Sequence, residues 1–276
     1  MDRIRLIASD MDATLLDEQS QLPADFEETI HALAELGIRF APASGRPLYT
    51  LEAMFPTLQD ELVFIGDNGG AIRWKGQNLF TSEMSPEGWR ALNRLTREQG
   101  DIAVLCGLES AYVERPFAVY DAVLRHFYTK IEYVDRLEDV TAPADKFTIY
   151  LPQHNAQQAY DTVYASQRSI YSVAVAGECW VDIMNSGVHK GAALQTLGQL
   201  WGLPSESMMA FGDTYNDAEM LRTAKYGFLM ENGSVPLRRN VPFLAPSHRE
   251  AGVMQVLHRV LAQNGCVCPE DFIPAH

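Results

Sequence analysis

Apolar positions along the chain alternate between short unbroken runs and stretches of helical spacing. "IRLIASD" (Ile4 to Asp10) is an apolar run interrupted by Arg5 and closed by an acid. Such a run, bounded by a turn, reads as a buried strand. Pro23 to Leu36 then reads as a helix: Phe26, Ile30, Leu33 and Leu36 share one face, acids fill the first turns, and Gly37 follows the end. "IRFAPAS" predicts a second strand ending at Ser44, "RPLYTLEAMF" opens a helix with Pro47 in its first turn, and "ELVFIGDNGG" predicts a third strand ending in a Gly-rich turn.

After residue 82 the texture changes. A helix (Ser85 to Gln99), the strands "IAVLC" and "SAYVER", a helical stretch near Tyr120 to Tyr128, the strand "KFTIYL", a helix (Asn155 to Ser166) and the strands "SIYSVAVAG" and "ECWVDIMN" follow. Near Val188 the first pattern returns: a helix "KGAALQTLGQLWG", the strand "SMMAFGD", a short helix (Asn216 to Ala224), the strands "YGFLM" and "VPFLAPS", and a last helix, Glu250 to Gln263. Strands alternating with helices predict an α/β fold, a Rossmann-like doubly wound parallel sheet with helices on both faces. Residues 83–186 are expected to form an inserted α/β domain, leaving 1–82 and 187–276 as the core.

Composition narrows the partners. A net charge of −14 argues against a nucleic-acid surface, which needs clustered Lys and Arg. It leaves open a phosphorylated small molecule held by backbone amides, one Lys and a metal. No apolar stretch approaches the ~20 residues that span a bilayer, and the N-terminus lacks the marks of a signal peptide. A cytoplasmic protein with no membrane partner, monomeric or homodimeric, is expected. Cys266 and Cys268 form a lone C-x-C, short of the four ligands of a closed zinc site. With Cys106 and Cys179 they read as reduced thiols, the last two in a slightly loose C-terminal tail.

The chemistry gathers at the C-terminal ends of the presumed parallel strands: Asp10, Ser44, Asp67-Asn68 and Asp213. In an open α/β sheet ligands bind in the crevice outside those ends. Each residue alone is an ordinary turn former or helix cap, but a cap does not require two acids, Asp10 and Asp12, at alternate positions. Asp10, Asp12 and Asp213 together would place three negative charges within a few ångström, which calls for a cation. Carboxylate ligands suit Mg²⁺, which keeps waters and takes its last ligands from substrate phosphate. One carboxylate can then attack phosphorus while the other serves as general acid and base. Lys190 and the turn "ASGRP", with Ser44 and the Gly45 amide, are candidates to hold the phosphoryl charge.

"DMDATLL" (Asp10 to Leu16), "ASGRP" (Ala43 to Pro47), "GVHKGAAL" (Gly187 to Leu194) and "GDTYND" (Gly212 to Asp217) occur in that order. Together they resemble the four motifs of the haloacid dehalogenase (HAD) superfamily. An insert between the second and third motifs resembles the Cof-type subfamily IIB, with an α/β cap of the kind called C2B, and "DNGGAI" resembles a further Cof-type feature. The resemblance covers the whole chain. It implies a HAD-fold phosphatase using Mg²⁺, with Asp10 as nucleophile and metal ligand. Asp12 would be the general acid/base, binding the metal through its carbonyl, and Asp213 the third ligand. Ser44 and Lys190 would bind phosphate with Asn216 and the amides of Met11 and Gly45, and Asp217 would orient Lys190 or a metal-bound water.

Two positions depart from the family pattern: Ala13 stands where Gly is usual, and "ENG" (Glu231 to Gly233) replaces Gly-Asn-Ala. The implied reaction is hydrolysis of a small phosphorylated metabolite through an aspartyl-phosphate, with a sugar phosphate first and pyridoxal phosphate or flavin mononucleotide also open. The alternatives are a phosphomutase and a non-catalytic phospho-ligand-binding regulator. Arg46, Glu114, Arg115 and His126 are candidate leaving-group contacts, and Arg46 and Asn68 candidate substrate contacts. Tyr112, Tyr120, Phe127, Tyr128 and Trp180 either stack on a ring or fill a core.

Overall fold

The computed structural model describes residues 1–275. Its largest sheet has nine strands. The central ones run parallel in the spatial order Phe243–Ala245, Tyr226–Met230, Met208–Gly212, Leu6–Asp10, Arg39–Ala43, Val63–Gly66. Antiparallel pairings add Ala71–Trp74 and Gln77–Thr81 at one edge and Ile273–Pro274 at the other. The chain starts in the middle, builds outward to Val63–Gly66, then returns beside its first strand and builds outward the other way. The reversal lies between Leu6–Asp10 and Met208–Gly212, so the crevice at their C-terminal ends is the topological switch point.

Strand periodicity of two decides what each face of the first strand meets. Ile7 joins the core that holds Phe40, Phe211 and Phe228 and the helices Phe26–Glu35 and Gly252–Ala262. Leu6 and Ala8 join the opposite core with Ala41, Ala210, Leu194 and Leu197, under the helices Lys190–Trp201 and Ala218–Thr223. All five residues of Leu6–Asp10 are buried. Asp10 shares the parity of Leu6 and Ala8 and is therefore carried toward the helix that begins with Lys190.

A second sheet of six strands lies between residues 102 and 185, in the order Tyr171–Val175, Trp180–Asn185, Ala144–Tyr150, Ile102–Gly107, Ala111–Glu114, Ile131–Val134. One face carries Leu105, Phe147, Ile149, Val181 and Ile183 against Trp89, Leu92 and Tyr164. The other carries Val104, Cys106, Tyr150 and Trp180, and at the same parity Lys146, Thr148 and Asp182.

The structure corrects several expected boundaries. The helix expected from Asn155 to Ser166 spans only Ala156–Asp161. Thr162, Val163 and Tyr164 follow, β-branched and aromatic residues with restricted χ1 in a helix, and the Thr162 hydroxyl donates to the Gln158 carbonyl at 2.7 Å. The first helix starts at Phe26 rather than Pro23, after a turn closed by Phe26 N–H to Pro23 O. The C-terminal tail is not loose: Cys266–Val267 pairs with Asp2–Arg3, and Ile273–Pro274 with Phe243–Leu244.

Ala13 sits in the irregular turn Met11–Leu15 with φ 59° and ψ 14°, the left-handed region. The Asn232 side-chain amide donates to its carbonyl at 2.9 Å. A Cβ costs roughly 1–2 kcal/mol in this conformation. Glycine's extra freedom in the unfolded chain returns only about 0.4–1 kcal/mol of that. Ala13→Gly should therefore stabilise the protein by about 0.5–1 kcal/mol, read as a raised urea midpoint at unchanged slope; a lowered midpoint would show that the turn stores no such strain.

Candidate active site

Lys190 is 0% exposed. Its Nζ donates to Asp217 Oδ1 at 2.7 Å and to Asp10 Oδ1 in a still shorter contact. Carboxylate oxygens of Asp10, Asp213 and Asp217 lie within 4.8 Å of one another. The sequence pointed to Asp12 as the third charge; the structure puts Asp217 there. Asp12 turns outward, its side chain 58% exposed, and accepts from Arg46 Nη2 at 2.8 Å.

Local structure explains this grouping. Asp10 ends and Asp213 directly follows two adjacent parallel strands, Leu6–Ser9 pairing with Met208–Phe211. Asp217 closes a capping box after Thr214, its Oδ2 accepting the Asp213 and Thr214 amides at 3.1 and 3.2 Å. Gly212 makes room for it, because a Cβ there would lie 2.4 Å from the Asp217 Cβ.

Burial, then the neighbouring Asp217, pushes the Asp10 carboxyl up to about 7, Lys190 only partly offsetting this. The same two causes raise Asp213 to about 6. Burial works against the Lys190 ammonium, but Asp10 and Asp217 outweigh it and its pKa is raised. Both Asp217 oxygens are already taken by N–H donors. The oxygens left for a cation belong to Asp10 and Asp213, hard donors beside a cavity, a set that fits Mg²⁺ with its remaining positions filled by water and phosphate oxygens.

Ser44 is buried, and its Oγ accepts the Arg46 amide at 3.1 Å. No acceptor among the described residues takes the Gly45 amide. The Met11 side chain lies in the apolar core. Asn216 accepts from Thr214 Oγ1 at 2.6 Å and donates to Asn68 Oδ1 at 3.4 Å. Asp67 and Asn68 both have left-handed backbones, φ 50° and 54°. Gly69 packs against the start of the Lys190 helix, where a Cβ would meet the His189 carbonyl at 2.6 Å.

Over these residues lies a cavity of about 760 Å³ that reaches the second sheet. Asp12, Ser44, Gly45, Arg46, Asn68 and Asn216 line its floor. Phe127, Tyr128, Tyr160, Trp180, Lys146, Thr148 and Asp182 form its far wall. Of the weaker sequence candidates, Glu114, Arg115 and His126 do not line it. Glu114 pairs with Arg97 and accepts the Leu137 amide, and Arg115 pairs with Asp135. Tyr112 lines a separate surface depression, and Tyr120 packs edge-on against Tyr150.

Sequence reading missed Lys146, Thr148 and Asp182. The signal was present: in "KFTIY" and "WVDIM" the polar residues fall at alternate positions of apolar strands, opposite the face that packs on Trp89 and Tyr164. Lys146 Nζ lies 2.9 Å from Asp67 and 3.7 Å from Asp182. Thr148 donates to Asp182 at 2.7 Å. Burial opposes the Lys146 ammonium, but Asp182 and Asp67 hold it charged.

Known proteins resemble this chain in sequence and fold. The model of the haloacid dehalogenase-like hydrolase family matches residues 7–257. A 5-amino-6-(5-phospho-D-ribitylamino)uracil phosphatase of Escherichia coli is 32% identical over 262 residues, covering 94% of this chain and 96% of its own. An HMP-PP phosphatase of Cronobacter sakazakii is 31% identical, covering 87% and 89%. A crystal structure from Streptococcus mutans superposes with a TM-score of 0.84 at 29% identity, covering 94% and 99%. A family match across nearly the whole chain, and relatives aligned almost end to end, agree with the four motifs: the chain belongs to the haloacid dehalogenase-like hydrolases.

Proposed function

We propose that this phosphatase hydrolyses a small phosphate monoester whose leaving group joins a sugar or polyol to a planar ring, through a covalent phosphate on Asp10. The observation that carries the reading is the buried constellation of Asp10, Asp213, Asp217 and Lys190 at the switch point, next to a cavity lined by Asp12 and the Ser44–Arg46 turn.

Asp10 and Asp213 would hold a Mg²⁺ ion, with the Asp12 carbonyl as the third protein ligand. The ion would supply charge neutralisation for the phosphoryl oxygens. The chain's own residues then divide the work. Ser44 Oγ, the Gly45 and Met11 amides, Asn216 and the Lys190 ammonium bind the phosphate and fix it in line with Asp10. An Asp10 carboxylate oxygen attacks phosphorus and the ester P–O bond breaks. The leaving oxygen takes a proton from Asp12. Water then attacks the phosphorus of the aspartyl-phosphate, Asp12 takes its proton, and phosphate leaves with Asp10 restored. Asp217 holds Lys190 in place throughout.

The cavity wall refines the expectation of a bare sugar phosphate. Trp180, Phe127 and Tyr160 offer ring faces, whereas Thr148, Asp182 and Asn68 offer hydrogen bonds nearer the floor. This suits a hydroxylated chain next to the phosphate and a planar group beyond it, and the Escherichia coli relative is named for a substrate of that build.

Asp10→Asn should lower kcat for p-nitrophenyl phosphate by about a thousandfold or more with the fold intact; unchanged turnover would remove Asp10 from the reaction. Because protons occupy Asp10 and Asp213 at low pH, the two groups raised to about 7 and about 6 make Mg²⁺ affinity climb with pH, most steeply below about pH 6, and level off above about pH 7. Calorimetry should show this with proton release on binding, and pH-independent affinity would contradict the ligand set. Across a phosphate-release panel, ring-bearing substrates should exceed bare sugar phosphates by about tenfold in kcat/KM, the value of one good aromatic contact.

A further inference from the structure

Every carbonyl of the turn Ser44–Gly45–Arg46 is held by a donor. The Asn68 amide takes Ser44 O and the Asp67 amide takes Arg46 O, each at 2.9 Å. Lys146 Nζ takes Gly45 O at 2.6 Å. A peptide is planar, with its C=O and N–H opposed, so holding the carbonyls also aims the amides. The Gly45 N–H is left free for a ligand, and the Arg46 N–H donates to Ser44 Oγ at 3.1 Å.

The three anchors differ in origin. Asp67 and Asn68 follow the strand Val63–Gly66 of the large sheet and are fixed relative to the turn. Lys146 belongs to the strand Ala144–Tyr150 of the other sheet. Its side chain is 3% exposed; its Nζ donates to Gly45 O and lies 2.9 Å from Asp67 and 3.7 Å from Asp182. A lysine that served only to neutralise the two acids would have no need of the carbonyl, yet that is its shortest contact. Other contacts seat the insert without touching the turn: Thr129 on Thr50, and Glu109 on Arg73 at 2.5 Å.

We propose that Lys146 is a positioning residue for the phosphate-binding turn, an ammonium carried by the insert that completes the alignment of Gly45 and Ser44 only while the insert is seated. The proposal rests on the reading of Ser44 as a phosphate ligand. An ammonium on Gly45 O polarises the peptide it shares with the Arg46 N–H. That strengthens the bond to Ser44 Oγ and makes the Ser44 hydroxyl a better donor to a phosphoryl oxygen. Hydrolysis is thereby tied to a closed site.

The test uses the full chain with Mg²⁺ and p-nitrophenyl phosphate. Lys146→Met should lower kcat by about 10–100-fold and weaken competitive inhibition by inorganic phosphate, as loss of a supporting contact does. In a Ser44→Ala background the same change should cost less than about threefold, because the two act as one unit. Glu109→Gln, which loosens the seat elsewhere, should leave kcat unchanged. Lys146→Met paired with Asp67→Asn keeps the cluster's net charge and carries the test should the single variant not fold. A kcat for Lys146→Met within about threefold of wild type, an equal loss with and without Ser44, or an equal loss in Glu109→Gln would each overturn the proposal. Turnover that survives Asp10→Asn instead overturns the reading under Proposed function, and this role with it; loss there with a silent Lys146→Met overturns this role alone.

Discussion

The Lys190 ammonium, wholly buried between Asp10 and Asp217, is the contact on which the site depends. It ties the strand Leu6–Asp10 to the helix Lys190–Trp201 and to the turn after Met208–Gly212, segments far apart in sequence. Removing one partner of a buried pair leaves an uncompensated charge, at a cost of about 3–5 kcal/mol. The pair therefore fixes Asp10 tightly. It does not satisfy the site, because three carboxylates and one ammonium leave two negative charges in a low-dielectric pocket. The protein alone can relieve that only by taking up protons, which is why burial and Asp217 raise Asp10 and Asp213. A divalent cation relieves it without them.

The second cluster has the same formal make-up and a different solution. Asp67, Asp145 and Asp182 surround Lys146, again three acids and one base. Yet among the described residues only Asp10, Asp213 and Asp217 come close enough to share an ion. Asp145 occupies the irregular position where the pairing of Ala144–Tyr150 with Ile102–Gly107 shifts register. Both its oxygens are buried without a hydrogen-bond partner. Burial, then Asp67, raises its carboxyl well above the ordinary range. A proton on Asp145 would leave Asp67 and Asp182 facing Lys146, with one negative charge instead of two. The one position suits a cation that comes and goes with substrate; the other suits a permanent joint between the two sheets.

Much of this was legible in the sequence, and for a physical reason. Buried parallel strands are unbroken apolar runs, so their ends are conspicuous, and polar residues at those ends must converge on one crevice. Asp10, Ser44, Asn68 and Asp213 were found that way. The direction of Asp12 was not, since alternate positions on a strand share a face only while the strand continues, and here the chain turns at Met11. Asp217 was read as an orienting residue, but its place inside the acid cluster depends on Gly212 admitting it to close approach. Lys146 and Asp182 escaped because a polar residue on a half-apolar strand is normally solvated. Only the stacking of one sheet over the other turns that face into a cavity wall.

Asp67 and Asn68 show how the two clusters are joined. Two successive non-glycine residues in the left-handed region are held against a backbone cost, which persists only where surrounding contacts over-determine it. Those contacts are visible. Their amides hold the Ser44–Arg46 turn, the Asp67 carboxylate meets Lys146, and the Asn68 side chain bridges Asn216 on one side and Asp182 on the other. Relaxing either residue to an extended backbone would withdraw an amide from the Ser44–Arg46 turn and a side chain from the second sheet together. The strained pair is therefore a rigid coupling, and through it the Ser44–Arg46 turn and the cavity-facing side of the second sheet are held in one fixed geometry.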